Sequence, residues 1–255
     1  MKKNFQHYTV VTLKYLSVIA IGIWFCLSLP IEPKTKTIEV KKIYDQKYLY
    51  LIDSGHGYSE SAKCGTNSSD IDGECFWEWE YCWEITNILC RELDRLGIYY
   101  IRVNPHANES NMHPRNRIKY INQIRTQTDS KIFLLSIHAN SSKNRNASGF
   151  EIFLKDNKFA KDSTQREVAN LLAKNYRQLI PTIPIRSKNG IDYKNSTATR
   201  VGEVGILKQT KGVYAILTEN GFFTNPDEVE QMKTNLFKTK IAMVHLNTII
   251  AIEQN

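Results

Sequence analysis

The chain has 255 residues, 42% of them hydrophobic and 24% charged. That length supports one sizeable core or two modest domains, and that composition excludes wholesale disorder. The net charge is +8, of which Lys2, Lys3 and Lys14 account for three, and the remaining basic residues are scattered. No Lys/Arg block is interleaved with aromatics, so nucleic acid is disfavoured as a partner, and a mildly basic body suits an anionic polymer or surface.

The first thirty residues differ in kind. Lys2 and Lys3 precede an apolar stretch whose uninterrupted part runs from Tyr15 to Leu29. That run has the length of a signal-peptide core; if Lys14 snorkels, the span begins near Tyr8 and can cross a bilayer. No small-x-small cleavage pattern precedes Pro30, which favours an uncleaved anchor with the body outside. Residues 1–30 therefore read as a signal peptide or signal anchor, 31–46 as a charged linker, and 47–255 as one exported, membrane-anchored or secreted domain.

The body alternates strands and helices. Tyr48–Ile52 reads as a strand, 58–73 as a long polar loop, and Trp77–Leu96 as a helix closed by Gly97. Strands are expected at Ile98–Val103 and Ile132–Ile137, with a helix over Pro114–Thr126 between them. Gly149–Leu154 is a further strand and Ser163–Leu179 a helix, which Pro181 and Pro184 terminate. A polar loop over 185–200 leads to short strands at Gly205–Lys208 and Tyr214–Thr218, and Pro226–Glu253 supplies one or two closing helices. This order predicts a single α/β domain, a largely parallel twisted sheet flanked by helices. There are no internal repeats and no second module.

Cys64, Cys75, Cys82 and Cys90 form an even set in an exported domain, so two disulfides are possible. Cys64 and Cys75 flank the polar loop and make the natural pair, whereas Cys82 and Cys90 stand too far apart along one helix to bond each other. Cys26 reads as a buried thiol in the leader. No Cys-x-x-Cys pair exists, which argues against a thiolate metal site.

Three apolar runs end on groups with chemistry: Leu51-Ile52-Asp53-Ser54-Gly55-His56-Gly57, Leu134-Leu135-Ser136-Ile137-His138-Ala139-Asn140 and Leu217-Thr218-Glu219. In open α/β sheets the carboxyl ends of the strands form the reactive crevice, so His56, His138 and Glu219 converge on one site. Two imidazoles and a carboxylate leaving an open position are the donor set of a zinc hydrolase, with a second carboxylate as proton shuttle. Glu74, Glu78, Glu80 and Glu84 offer that further acid near the start of the first helix. One histidine at a strand end is more often structural, and His7, His106, His113 and His245 take that reading. Glu219 resists it, because a carboxylate after an apolar run is costly to bury unless it is paired or faces a metal.

These segments resemble the zinc-dependent N-acetylmuramoyl-L-alanine amidases of bacterial cell walls. Asp53-Ser54-Gly55-His56-Gly57 is similar to the family's first motif, with Ser for Pro. Ser136 to Asn140 matches its Ser-Ile-His-Ala-Asn motif, and Glu219 to Pro226 its Glu-x-Gly-Phe-x-x-Asn-Pro motif; Arg117 and Asn122 also fit. The resemblance implies that His56 and His138 bind Zn2+ and that Glu219 is the catalytic base and acid. It places the remaining ligand on a glutamate opening the first helix, which counted back from Gly97 is Glu78, with Glu80 in reserve. Asp53 and Asn140 become candidates for orienting ligands or loops, the alternative being turn-capping hydrogen bonds. Trp77 and Trp79 are candidates for stacking on sugar rings or for packing the helix start.

The implied reaction is hydrolysis of the amide between N-acetylmuramic acid and L-alanine, by a monomer whose partners are peptidoglycan and, through the N-terminal segment, a membrane. No extra helix is visible between His138 and Glu219, so an uncovered site is expected. The competing readings are a non-catalytic peptidoglycan-binding protein on the same fold and a zinc peptidase acting on the stem peptide. Retention of all four site residues argues against the first, and the lack of a His-x-x-Glu pair at His56 against the second.

Overall fold

The computed structural model describes residues 46–57, 68–71, 74–104, 113–155, 163–187, 190–192, 199–201 and 204–254. The leader and linker, the long loop's other residues, and His7 and His106 lie outside these. Among the described residues, no helix is long and apolar enough to cross a membrane.

Along the chain run β1 (Leu49–Ser54), β2 (Ser68–Ile71), β3 (Glu74–Trp77), α1 (Glu78–Leu96), β4 (Tyr100–Arg102), α2 (Pro114–Thr126), β5 (Ile132–Asn140) and β6 (Phe150–Leu154). Then come α3 (Ser163–Leu179), β7 (Ile185–Ser187), β8 (Gly190–Asp192), β9 (Thr199–Val201), α4 (Gly205–Gln209), β10 (Tyr214–Phe222), α5 (Pro226–Lys233) and α6 (Asn235–Gln254). The main sheet has the order β4-β1-β5-β10-β6-β7-β8, with β9 also paired to β6. From β4 to β10 the pairs are parallel, while β6 runs antiparallel to β10 and β8 antiparallel to β7. The sheet is therefore mixed around a parallel centre. The short connection from β5 to β6, residues 141–149, holds no helix to carry the chain back for a parallel return.

Strand alternation divides the core in two. Tyr50, Ile52, Phe133, Leu135, Ile137, Phe150, Ile152 and Ile216 face α1, α3 and α6. Leu51, Leu134, Ala215 and Leu217 face α2 and α4. Both faces of the central strands are covered, which explains their near-continuous apolar runs. Helix α1 turns Tyr81, Cys82, Ile85, Leu89 and Leu93 inward and closes on Gly97 in the left-handed conformation, as expected.

Several expectations need correction. Residues 205–208 are helical, because Ile206 and Leu207 pack into the second core and the Thr210 hydroxyl donates back to the carbonyls of Ile206 and Leu207. The segment read as a polar loop contains β2, which pairs with β3 in a two-stranded ribbon. The loop over 185–200 contains β7, β8 and β9. Cys75 is disulfide-bonded, and its expected partner Cys64 lies outside the described residues. Cys82 and Cys90 are free and buried in the first core, so a second disulfide from them is ruled out. Burial pushes the Cys90 thiol up to about 11, outweighing the opposing Arg102 charge.

Candidate metal centre and its neighbours

His56 follows β1 and takes φ 57, a left-handed backbone that a β-carbon makes uncommon. Asn104 fixes the turn: its side-chain carbonyl accepts from the Ser54 N–H at 3.0 Å, and its amide donates to the carbonyls of Ser54 and His56. Gly55 is required for a different reason. A β-carbon there would lie 2.6 Å from His138 Nδ1, so the glycine lets the two histidine-bearing strands close on each other.

Glu78 opens α1 and reaches the two imidazoles from the side. Its Oε2 is 3.3 Å from His56 Nε2 and its Oε1 is 3.2 Å from His138 Nδ1. The Ala139 N–H also donates to Oε1, at 3.1 Å. One potential ligand atom from each of His56, Glu78 and His138 falls within a cluster spanning 4.8 Å. Glu80, by contrast, is exposed, so the structure brings Glu78 and not the reserve residue to the histidines. Among the described residues this is the cluster of His, Cys, Asp and Glu able to hold a metal ion.

Burial opposes ionisation of Glu78, yet its hydrogen bonds to both imidazoles outweigh that cost and hold the carboxyl down near 2. Burial lowers His138 by more than its bond to Glu78 raises it, so the ring is neutral. Neutral imidazole and ionised carboxylate are the protonation states that metal ligation demands. The donor set fits Zn2+, which takes nitrogen and carboxylate ligands and in hydrolases leaves a position open.

Glu219 lies inside β10, not after it, and His138 inside β5; the two are register partners. Both strands outrun their expected ends because the polar residues Asn140 and Asn220 continue the pairing, with a bulge before Phe222. Glu219 Oε2 is buried and accepts no hydrogen bond. Burial, reinforced by the carboxylates of Glu78 and Glu151, raises this group well above the ordinary carboxylate range. A buried carboxylate without a donor is expensive, and such groups mark functional sites.

Below the site, Asp53 accepts two bonds from Arg117 Nη1, at 2.9 and 3.0 Å, and one from Ser136 Oγ at 2.6 Å. Asp53 thus locks β1, α2 and β5 together instead of bonding a ligand imidazole. Asn122 ties α2 to the loop after α4, donating to the Gln209 carbonyl and accepting from Lys211 N–H. Asn140 donates to Glu151 Oε2 at 2.7 Å. Trp77 and Trp79 are half-buried at the start of α1, His113 caps α2, and His245 is fully buried in α6.

The family profile described as N-acetylmuramoyl-L-alanine amidase matches residues 51–251, from the first site strand to the last helix. The chain belongs to the N-acetylmuramoyl-L-alanine amidase family. A relative from Buchnera aphidicola subsp. Baizongia pistaciae, named by inference an N-acetylmuramoyl-L-alanine amidase, is 27% identical over 213 residues, 76% of this chain and 91% of that protein. The N-acetylmuramoyl-L-alanine amidase of Clostridium difficile 630 superposes with a TM-score of 0.63 at 17% identity, covering 83% of this chain and 99% of that one. The amidase Ami1 of Mycobacterium smegmatis gives 0.65 at 16% identity, covering 81% and 97%. At such identities the structural likeness establishes the fold.

Two residues of this amidase-family chain escaped the sequence reading. Glu151 is 2% exposed and pairs across the sheet with Glu219. Arg186 bonds Glu151 Oε1 through Nε at 2.9 Å. The signal for Glu151 was present in Phe150-Glu151-Ile152-Phe153-Leu154, a lone carboxylate in an apolar strand, the same kind of signal that singled out Glu219. Arg186 had none, since a lone arginine after Ile183-Pro184-Ile185 at the head of a polar segment carries no pattern of its own.

Proposed function

We propose that the chain is a zinc-dependent hydrolase of the amide between the lactyl group of N-acetylmuramic acid and L-alanine in peptidoglycan, with His56, Glu78 and His138 holding the metal. Family membership supports the substrate class. The observation that carries the zinc reading is the cluster of three potential ligand atoms within 4.8 Å, beside a buried carboxylate oxygen that has no donor. A zinc ion held by His56, Glu78 and His138 would supply Lewis-acid polarisation of a carbonyl and a water acidified toward ~7.

The chain's own residues then have distinct tasks. Glu219 accepts a proton from the attacking water and delivers it to the departing L-alanine amine. Its raised pKa fits the second half of that task, since a carboxyl that holds its proton can still donate it. The Ala139 N–H holds Glu78 Oε1, so the carboxylate stands fixed beside both imidazoles. Residues 1–30 anchor or export the chain, so that residues 47–255 act in the cell-wall space.

The test is zinc content and peptide release on the full chain, using purified peptidoglycan. One equivalent of zinc, with chelator-sensitive release of stem peptides bearing a new L-alanine amine, is the expected result. A folded protein with neither zinc nor turnover would return the chain to the wall-binding reading.

A further inference from the structure

The register of the sheet lays four chemistry-bearing residues in one row. His138 on β5 pairs with Glu219 on β10, and Glu219 pairs with Glu151 on β6. Phe150 pairs with Ile185 in parallel, so Glu151 and Arg186 are the next partners, and their 2.9 Å contact agrees. Register partners on neighbouring strands project to the same face. With strands ~4.8 Å apart, the Arg186 backbone is about 10 Å from that of Glu219.

Arg186 is held by a dedicated setting. Nε donates to Glu151, Nη1 donates to the Ser148 carbonyl at 3.1 Å, and the guanidinium lies 4.9 Å from the centre of the Phe222 ring. Room for its stem comes from Gly149, where a β-carbon would stand 2.6 Å from Arg186 Cγ. The side chain remains 22% exposed, and among the described residues Nη2 donates to nothing. A guanidinium offers five donors in a rigid fork suited to carboxylate. This one spends two, and the unspent edge meets solvent in the row that contains Glu219.

We propose that Arg186 is a specificity-determining residue that binds a free carboxylate on the peptide side of the scissile amide. The proposal rests on the amidase reading and deepens it. N-acetylated sugars carry no charge, and the muramoyl carboxyl is consumed in the scissile amide. The fixed anions near the cleaved bond are therefore carboxylates of the stem peptide. An extended peptide advances about 3.3–3.6 Å per residue, so a span of roughly 10 Å reaches the second or third residue of the stem. Glu151 acts through Arg186 as a positioning residue: it fixes the fork and is itself turned toward Asn140.

The experiment compares three soluble substrates: an N-acetylmuramoyl tripeptide with all carboxylates free, and two analogues amidated at the second or at the third residue. The wild type is expected to lose about tenfold or more in kcat/KM, mainly through KM, on one of the analogues, the loss typical of one charge-assisted hydrogen bond. In Arg186→Gln that discrimination falls to about one, and which analogue discriminates in the wild type identifies the residue bound. Arg186→Lys keeps a cation against Glu151, and its partial loss of the same ratio decides the matter if Arg186→Gln does not fold. Equal wild-type turnover of all three substrates overturns the proposal, as does an Arg186→Gln defect of the same factor on each. A wild type inactive on all three overturns the amidase reading, and the carboxylate subsite with it.

Discussion

Glu219 and His138 sit side by side on paired strands, yet their substitution should separate binding from chemistry. Glu219→Gln removes a proton acceptor while keeping shape, and relieves the repulsion that Glu78 and Glu151 impose. It is expected to retain one zinc and lose about 10²–10⁴-fold in kcat. His138→Ala removes a potential ligand and leaves Glu78 Oε1 with the Ala139 N–H, so both zinc and activity should go. Metal analysis beside peptidoglycan turnover checks the pair, and a zinc-loaded His138→Ala with normal turnover would sink the assignment.

At the scale of elements, what could be read in the sequence and what could not divides on physical lines. Helices α2 and α3 fell at their expected bounds, because Pro114 starts one and amphipathic spacing runs the length of both. The central strands were legible as apolar runs, but their continuation through Asn140 and Asn220 was not, since it depends on pairing with a neighbour. Helix α4 failed for a related reason: two apolar residues between Gly205 and Lys208 carry no period, and tertiary packing decides their state. The site histidines and Glu219 were legible because each breaks an apolar run. Glu78 needed the family's spacing, and its separation from Glu80 became plain only through burial.

One prediction belongs to the packing of α6 on β10. His245 is fully buried, with Nε2 3.5 Å from the Thr218 hydroxyl and Nδ1 without a partner. Burial depresses its folded pKa to about 3, against about 6.5 in an unfolded chain. Below pH 6.5 the unfolded state therefore binds the extra proton, and stability falls as pH drops, by roughly 1.4 kcal/mol per unit down to the folded value. Denaturant melts of wild type and His245→Met between pH 7 and pH 4 should show a difference in stability that changes with that slope. Parallel curves would refute the account.

On the scale of the whole molecule, the bonds that tie the strands together beneath the site involve protein groups. The Asp53–Arg117–Ser136 cluster is made entirely of protein groups, and a lowered Glu78 keeps its backbone donor. Chelation should therefore leave far-ultraviolet dichroism intact. It should lower Tm, since a ligand present at 100 times its Kd contributes about 2.7 kcal/mol, or roughly 5–10 °C for a chain of this size. Unfolding on chelation at room temperature would assign the metal a structural role instead.

The sheet order also sets a timetable. The strand carrying Glu219 lies in the middle of the sheet, between β5 and β6, but is the last strand made. During synthesis from the N-terminus, β1, β5 and β6 emerge with the central gap unfilled, and His56, Glu78 and His138 are all present before their neighbour exists. A growing chain can therefore hold His56, Glu78 and His138 and still lack Glu219. The potential metal ligands and the buried carboxylate beside them are therefore joined only once the last strand is inserted between β5 and β6.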